Sequence, residues 1–543
     1  MKYDYVIVGG GSAGAVLAAR LTEDPNVSVC LLEAGGNASS LIIRIPIGMI
    51  PIFGSNGRIA NWNYDTVPQP ELNGRRGYQP RGKGLGGSSA INGMIYMRGH
   101  KSDYDDWDNL GCEGWNWDNC LPYFRRAENH ELGGNEFHGD SGPLQVSKLR
   151  SPRSISDDFV KAGTEMQLRQ VDDFNTGDNE GVGYFQVTQF HKGKKRGERC
   201  STNFGYLAPN RHRPNLTVIT KAQATRILFE GKRATGVAYR QGRADKTVEA
   251  RHEVLLCGGA FNSPQLLQLS GIGRPEDIRP YGIGMVHELP GVGQNLQDHI
   301  DFVLSFVTSY KGGFGVGPVP ALRIAGHVIN WMRTGEGMAA SSGAEGAAFF
   351  KTDPNLERAD IQLHFTIGMV DDHLRKLHLG HGYSAHMCVL RPHSRGEVFL
   401  QSANPLAPPG IDPAFLTDRR DMDAMIKGAK MARQIMKAPS MVQHEVSEFF
   451  GVGDNMTDAD WESHIRARAD TIYHPVGTCK MGTDDMAVVD PELRVRGIEG
   501  LRVVDASVMP TLVGGNTNAP TIMVAERAAD IIRGRLPARA AAE

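Results

Sequence analysis

Val6-Ile7-Val8-Gly9-Gly10-Gly11-Ser12-Ala13-Gly14 is the stretch whose reading decides the fold. Val6 to Val8 is a β-branched run of the kind buried in parallel sheets. Ala15 to Leu21 follows with helical spacing, and Val27 to Leu32 reads as a second strand ending in Glu33-Ala34-Gly35. Glycines spaced Gly9-x-Gly11-x-x-Gly14 between a strand and a helix form a dinucleotide fingerprint in its required context. Gly9 permits a tight turn, Gly11 lets a pyrophosphate reach the backbone, and Gly14 lets helix and strand pack closely. The helix N-terminus, with Ser12 and Ala13 in its first turn, then faces the phosphates. Glu33, followed by Ala34, is placed to accept from ribose hydroxyls. An acid there favours an unphosphorylated ribose, hence FAD or NAD rather than NADP.

The whole chain has 543 residues, 22% of them charged, with a formal net charge of -2. That length suits two domains, or a cofactor domain with a large interleaved second part. The near-neutral balance gives no reason to expect nucleic acid as a partner. There are 65 glycines, against roughly 38 from average usage. Such an excess fits a backbone that approaches a ligand closely in several places. The seven cysteines are scattered with no CxxC pair, so the expectation is a reducing, cytoplasmic location. No secretory signal is visible at the start. Leu41 to Phe53 is too short and too interrupted to span a bilayer. Peripheral contact at the inner membrane and the oligomeric state stay open.

Residues 81–93 carry Gly82, Gly84, Gly86, Gly87 and Gly93, with Asn92. They suit a loop lying flat against a ligand with its N–H groups exposed. Arg81 and Lys83 are candidates to neutralise a pyrophosphate. Trp107, Trp115 and Trp117 read as packing residues. Arg199 to Leu207 reads as a capped helix start. Asn215–Thr220, Ala224–Phe229 and Ala234–Tyr239 read as an antiparallel insertion, and Glu253–Leu256 as a return to a buried parallel strand. Gly259 to Gly273 reads as a turn, a proline-started helix and a glycine stop. Between about 300 and 470, strand-like runs (361–365, 386–390, 396–400) alternate with a helix at 421–436. Gly312 to Pro318 is a mobile lid or an ordinary loop.

Two late stretches carry chemistry: Tyr473-His474-Pro475-Val476-Gly477-Thr478-Cys479-Lys480-Met481-Gly482 and Gly515-Asn516-Thr517-Asn518-Ala519-Pro520. An unperturbed histidine has a pKa of about 6.5, so His474 can accept a proton from an alcohol. Asn516 both donates and accepts, and would orient the hydroxyl and stabilise the developing alkoxide. Asn518 competes for that role or caps the helix that Pro520 begins, whose positive end would face negative charge gathering on a bound cofactor.

Together these segments, with Gly291 to His299 and Asp505 to Glu526, resemble the glucose-methanol-choline (GMC) oxidoreductases, especially their bacterial choline dehydrogenase-like alcohol dehydrogenases. The resemblance spans nearly the whole chain. It implies an α/β class, α+β overall: a Rossmann-like FAD-binding domain interleaved with a substrate domain of antiparallel sheet flanked by helices. The implied FAD domain is 1–150, 201–300 and 471–536, and the substrate domain 151–200 and 301–470. The implied catalytic pair is His474 and Asn516. The implied FAD contacts include Gly84, Gly87, Asn92, Gly93, Asp505, Ala506 and Asn518, with Ala224 at the adenine. Some relatives link FAD covalently through a histidine in the glycine loop; here that position is Ile91, so non-covalent FAD is expected. The implied reaction is oxidation of a primary alcohol to the aldehyde, with electrons passed to a quinone-type or artificial acceptor. The alternatives are an oxidase using O2, a choline dehydrogenase proper, a non-redox flavin lyase, or a non-enzymatic FAD-binding protein. No metal site is expected.

Overall fold

The computed structural model describes residues 1–535, so Leu536, the expected end of the cofactor part, lies outside the described residues. β1 (Lys2–Val8) and β2 (Val29–Glu33) are parallel, and α1 (Ser12–Leu21) connects them. The apolar run predicted as a buried strand is buried at Val6, Ile7 and Val8. β3 (Leu216–Thr220) pairs parallel with the far edge of β2. β4 (Ala222–Glu230) and β5 (Arg233–Gln241) form a hairpin. β6 (Ala244–Leu256) pairs parallel with β1 along one edge and serves two partners along the other. Its first half lies antiparallel to β5, and its last three residues lie parallel to the late strand Leu501–Val503.

Residues 215–220 therefore belong to the parallel sheet, not to the antiparallel insertion expected for them. The Asn215 amide donates to the Thr22, Asp24 and Val27 carbonyls, which ties this segment to the turn after α1 and lays β3 beside β2. Two helix expectations also change. α2 (Gly259–Leu269) carries Pro264 in its interior rather than at its start. A proline there frees the carbonyl one turn earlier, and the Thr478 hydroxyl takes that Ala260 carbonyl at 2.6 Å. The helix at Asn203–Leu207 is wide and has no side-chain cap. The Thr202 hydroxyl is engaged instead with Ser89, at 3.1 Å.

A second sheet of nine strands holds the other core. Its centre is antiparallel: β7 (Ile300–Thr308), β10 (Gly380–Val389), β9 (Ile361–Thr366) and β8 (Ala344–Phe350), in that order. Gly181–Tyr184 extends it beside β8. Between β7 and β8 the chain forms α3 (Pro318–Thr334). In the glycine-rich stretch before it, Gly315-Val316 pairs with the start of β10. α4 (Arg419–Met436) buries Met422, Met425, Ile426 and Ala429 against this sheet, in one cluster with Phe302, Phe365 and Met387. A small sheet of Ile95–Tyr96, Gln186–Val187, Leu144–Lys148 and Glu128–His130 stands beside these two.

α5 (Asn518–Ile532) returns to pack on α1, where buried Glu526 takes both arms of the Arg20 guanidinium at 2.9 Å. The two helices thus start side by side, and the Ser12 hydroxyl donates to Asn518 Oδ1 at 2.8 Å. Trp107, Trp115 and Trp117 are buried. All seven cysteines are buried and unpaired. No helix among the described residues is long and apolar enough to cross a membrane.

Candidate active site

A cavity of about 590 Å³ runs from the glycine turn after β1 to the edge of the nine-stranded sheet. Of the expected cofactor residues, Gly9, Gly11, Ser12, Ala13, Glu33, Ala34, Gly87, Asn92, Gly93, Ala224, Asp505, Ala506 and Asn518 line it, as do His474 and Asn516. Gly14 and Gly84 stand behind its wall. Gly9 has φ +102°, a conformation open to glycine. A Cβ on Gly14 would collide with the Gly9 carbonyl, so the third glycine serves packing. A Cβ on Gly11 would meet only the Gly87 Cα, at 3.8 Å, so this floor is open to a ligand. The N-termini of α1 and α5 both end on it, presenting N–H groups and the positive ends of two helix dipoles.

Two carboxylates expected to touch the cofactor are already engaged. Glu33 accepts from the Gly10 and Gly35 N–H groups at 2.8 and 2.7 Å, and burial raises its pKa. Its first task is to hold the glycine turn. Asp505 accepts four bonds, from the Gly259 and Ser507 N–H groups and the Ser263 and Ser507 hydroxyls. A carboxylate has about four acceptor sites, so Asp505 shapes the backbone around Gly259 and Ala506. Arg81 and Lys83 are not placed on the phosphate turn. The Arg81 guanidinium donates to the Tyr473 carbonyl at 2.8 Å, and Lys83 Nζ lies 4.1 Å from the centre of the Trp62 ring. Asn518 is the first residue of α5 and does not cap it.

At the other end, a one-way chain of hydrogen bonds fixes the state of His474. The Leu390 carbonyl can only accept, so His299 Nε2, 3.0 Å away, carries the proton. His299 Nδ1 is therefore a lone pair. It faces His474 Nδ1 at 2.9 Å, so His474 must carry its proton on Nδ1. His474 Nε2 is left bare. Asn516 Nδ2 donates to it at 3.0 Å, and Gln362 Nε2 donates to Asn516 Oδ1 at 3.3 Å. Burial, and then the neighbouring His299, His364 and Arg81, hold His474 well below the ordinary histidine pKa. The bare nitrogen is thus unprotonated at neutral pH.

The backbone is held as firmly. Asp298 accepts the His474 N–H at 2.8 Å and the Thr471 hydroxyl at 2.5 Å, and burial raises its pKa to about 6. Tyr473 has φ +76°, a strained value for a bulky side chain. It is pinned by Arg81 on its carbonyl, Thr471 on its N–H, and His373 on its hydroxyl, the last two at 2.7 Å. His364, on β9, also lines the cavity; both its ring nitrogens are buried without a partner, and burial lowers its pKa to about 3. Buried polar groups are normally satisfied, so this ring points to a polar ligand.

The chain matches the N-terminal GMC oxidoreductase model over residues 3–301 and the C-terminal model over 392–525. The chain is a GMC oxidoreductase. Among curated GMC proteins, it is 45% identical over 533 residues to the alcohol dehydrogenase [acceptor] of Pseudomonas putida, covering 98% of this chain and 95% of that one. It is 43% identical over 543 residues to the oxygen-dependent choline dehydrogenase of Ectopseudomonas mendocina, covering 99% and 95%. Among solved GMC-like structures, pyridoxine 4-oxidase from Mesorbium loti superposes with TM-score 0.87 at 30% identity, over 98% of this chain and 100% of that one. An FAD-dependent oxidoreductase from Chaetomium thermophilum gives TM-score 0.88 at 29%, over 98% and 99%.

Sequence reasoning missed His299, His364, Gln362 and the positions of Arg81 and Asp298. Gln297-Asp298-His299 did carry a signal, since it closes one of the family-like segments. His364 and Gln362 lie in an ordinary strand pattern and carried none.

Proposed function

We propose that this chain oxidises an uncharged primary alcohol to the aldehyde, with non-covalent FAD as cofactor, His474 as the base, and a quinone-type or artificial electron acceptor. The observation that carries the proposal is the bare His474 Nε2, fixed by His299 and opening onto the cavity that the glycine turn also lines. FAD in the glycine cradle supplies the hydride acceptor, which no side chain provides. Gly11, Ser12, Ala13, Asn92, Gly93, Ala224 and Asn518 are the groups placed to hold it, and the remaining lone pairs of Glu33 suit its ribose. Ile91, in the glycine loop, offers no nucleophile for a covalent link.

The residues at the reacting end do the rest. The alcohol hydroxyl takes the place of the Asn516 amide on His474 Nε2, while its oxygen accepts from that amide. As His474 takes the proton, its Nδ1–H stays on His299, so the ring does not turn. The Asn516 donor remains on the developing alkoxide. The unpartnered His364 ring, on the same wall, suits a further contact to the substrate oxygen. Met49, Ile50, Phe53 and Ile95 line the cavity with apolar surface, which strengthens these interactions by excluding water.

The cavity wall argues for a neutral substrate. A quaternary ammonium group is recognised by a carboxylate or an aromatic cage. Among the lining residues the only carboxylates are Glu33 and Asp505, both at the cofactor end, so a cation would have only the rings of Phe53, Phe314 and Tyr473 to meet it. Asp301 lies behind the wall, engaged by His386 at 2.8 Å. The name of the 45% identical relative, alcohol dehydrogenase [acceptor], supports a separate electron acceptor, whereas the 43% identical choline dehydrogenase is named oxygen-dependent. Residues 1–150, 201–300 and 471–535 would hold FAD, and 151–200 and 301–470 the alcohol. The parallel sheet draws on the first set and the nine-stranded sheet mainly on the second.

Dye-coupled turnover of a panel of alcohols tests the reading. Neutral primary alcohols are expected to exceed choline in kcat/KM. Choline as the best substrate would overturn the neutral-substrate assignment.

A further inference from the structure

α3 is apolar on both of its faces. Ile324, Val328 and Trp331 point inward, in one cluster with Ile45, Ile47 and Ala340. Val319, Leu322, Ile329 and Met332 point outward and are 59%, 77%, 59% and 64% exposed. Two apolar stripes on one helix, separated by the polar strip of Arg323, His327 and Asn330, leave the outer stripe without a partner. The patch extends past the helix. Leu377 and Leu379 are 62% and 82% exposed, and Leu379 adjoins Gly380, which pairs with Val316 just before α3. Of the sixteen large hydrophobics left exposed among the described residues, six sit here.

The charge around this patch has one sign. Lys311 to Gly335 contains Lys311, Arg323, Arg333 and His327 but no Asp or Glu. At the far end of α3 the Trp331 indole donates to the Gly197 carbonyl at 2.7 Å, which brings up the basic turn Lys192-Gly193-Lys194-Lys195-Arg196. Two of the nearby acids are paired, Glu336 with Arg196 and Asp372 with Arg375, and Asp371 is hydrogen-bonded to the His378 ring. Burial, and then Arg153 and Arg323, hold His327 below the ordinary histidine range, in keeping with a positive local field.

We propose that the outer face of α3, with Leu377, Leu379 and the basic turn at 192–196, docks this protein on the surface of an anionic lipid bilayer. An apolar face bordered by lysine and arginine is the composition of helices that lie in the membrane interface. A second copy of the chain fits worse, because a two-fold contact would set these cations against their own copies. The position also serves the site. Ala321 and Ile324 of α3 and Leu377 of the rim line the active-site cavity, so docking would open its mouth toward the bilayer, where apolar alcohols and quinones partition. That last consequence rests on the alcohol reading; the docking itself does not.

The test is flotation of the purified full chain with vesicles of equal parts phosphatidylglycerol and phosphatidylcholine, against vesicles of phosphatidylcholine alone. The expected result is flotation with the anionic vesicles, weakened by salt. The double variant Leu322→Glu, Ile329→Glu should lose at least about tenfold in vesicle partitioning, and Lys192→Glu, Lys194→Glu should lose the preference for anionic lipid by a similar factor. None of these four residues lines the cavity, so dye-coupled turnover of a water-soluble alcohol should stay within about twofold. Flotation requires no turnover, so it fails or succeeds separately from the proposed activity. Wild-type chain that stays in the bottom fraction with both vesicles overturns the proposal. So does a solution dimer that Leu322→Glu splits without any effect on lipid binding.

Discussion

Replacing His299 by alanine is the perturbation that probes the site most sharply, because His299 need not touch substrate or cofactor to matter. The imidazole does one job toward His474: its Nδ1 lone pair, 2.9 Å away, holds the His474 proton on Nδ1 and keeps Nε2 bare. Without that acceptor the His474 N–H is buried and unsatisfied, which costs about 1–3 kcal/mol. The ring relieves the cost by moving its proton to Nε2 or by turning, and either change removes the base from the cavity. At about 1.4 kcal/mol per tenfold, the expected loss in the rate of alcohol oxidation is about 5–150-fold. Asparagine places its Oδ1 where Nδ1 stood, so His299→Asn should recover most of that loss, although it leaves the Leu390 carbonyl without its donor. The assay is anaerobic rapid mixing with a substrate alcohol, monitored by bleaching of the flavin, with bound FAD quantified for each variant. Full flavin content in both variants, slow bleaching in alanine and near-normal bleaching in asparagine is the predicted pattern. An alanine variant that holds FAD and bleaches within twofold of wild type would refute the tautomer argument.

Other outcomes follow from the same geometry. His474→Gln should retain FAD and lose about 10²–10⁴-fold in kcat/KM, the range for general base catalysis; steady-state kinetics on the flavin-loaded variant checks this. Burial holds the His474 pKa well below the usual value of about 6.5, so kcat/KM should be flat through neutral pH. It should fall only in acid, as protonation takes the Nε2 lone pair; an acid limb centred near 6.5 or above would contradict the assignment. Gly11→Ala and Gly14→Ala should separate ligand space from packing. The first fills open floor and should weaken FAD retention with little loss of stability. The second collides with the Gly9 carbonyl and should lower the melting temperature even without cofactor. Denaturation followed by filtration should release all the flavin; colour retained on the precipitate would mean a covalent link.

The parts legible in the sequence were those decided locally. The turn from β1 to α1 needs three glycines at fixed offsets, and the tight turn at Gly9 and the close packing at Gly14 are both present. His474 stood out because Pro475 and Gly477 mark its surroundings as special backbone. Other features depend on partners far along the chain. Pro264 reads as a helix start, and is tolerated inside α2 only because Thr478 takes the Ala260 carbonyl. β3 reads like the hairpin strands that follow it, and joins the parallel sheet because Asn215 grips the turn after α1. Glu33 and Asp505 line the cavity, but nothing in a linear pattern tells which backbone N–H groups close on a carboxylate. The state of His474 was the least legible, because it is set by a carbonyl at Leu390 acting through His299.

The most direct test of the central claim is to mix the flavin-loaded protein anaerobically with a panel of primary alcohols, choline included, and follow the visible absorbance of the oxidised flavin. The account predicts bleaching by neutral primary alcohols, little by choline, and slow return of colour when air is readmitted. Absence of bleaching by every alcohol, with FAD fully bound, would contradict it and favour a non-redox role for the same site.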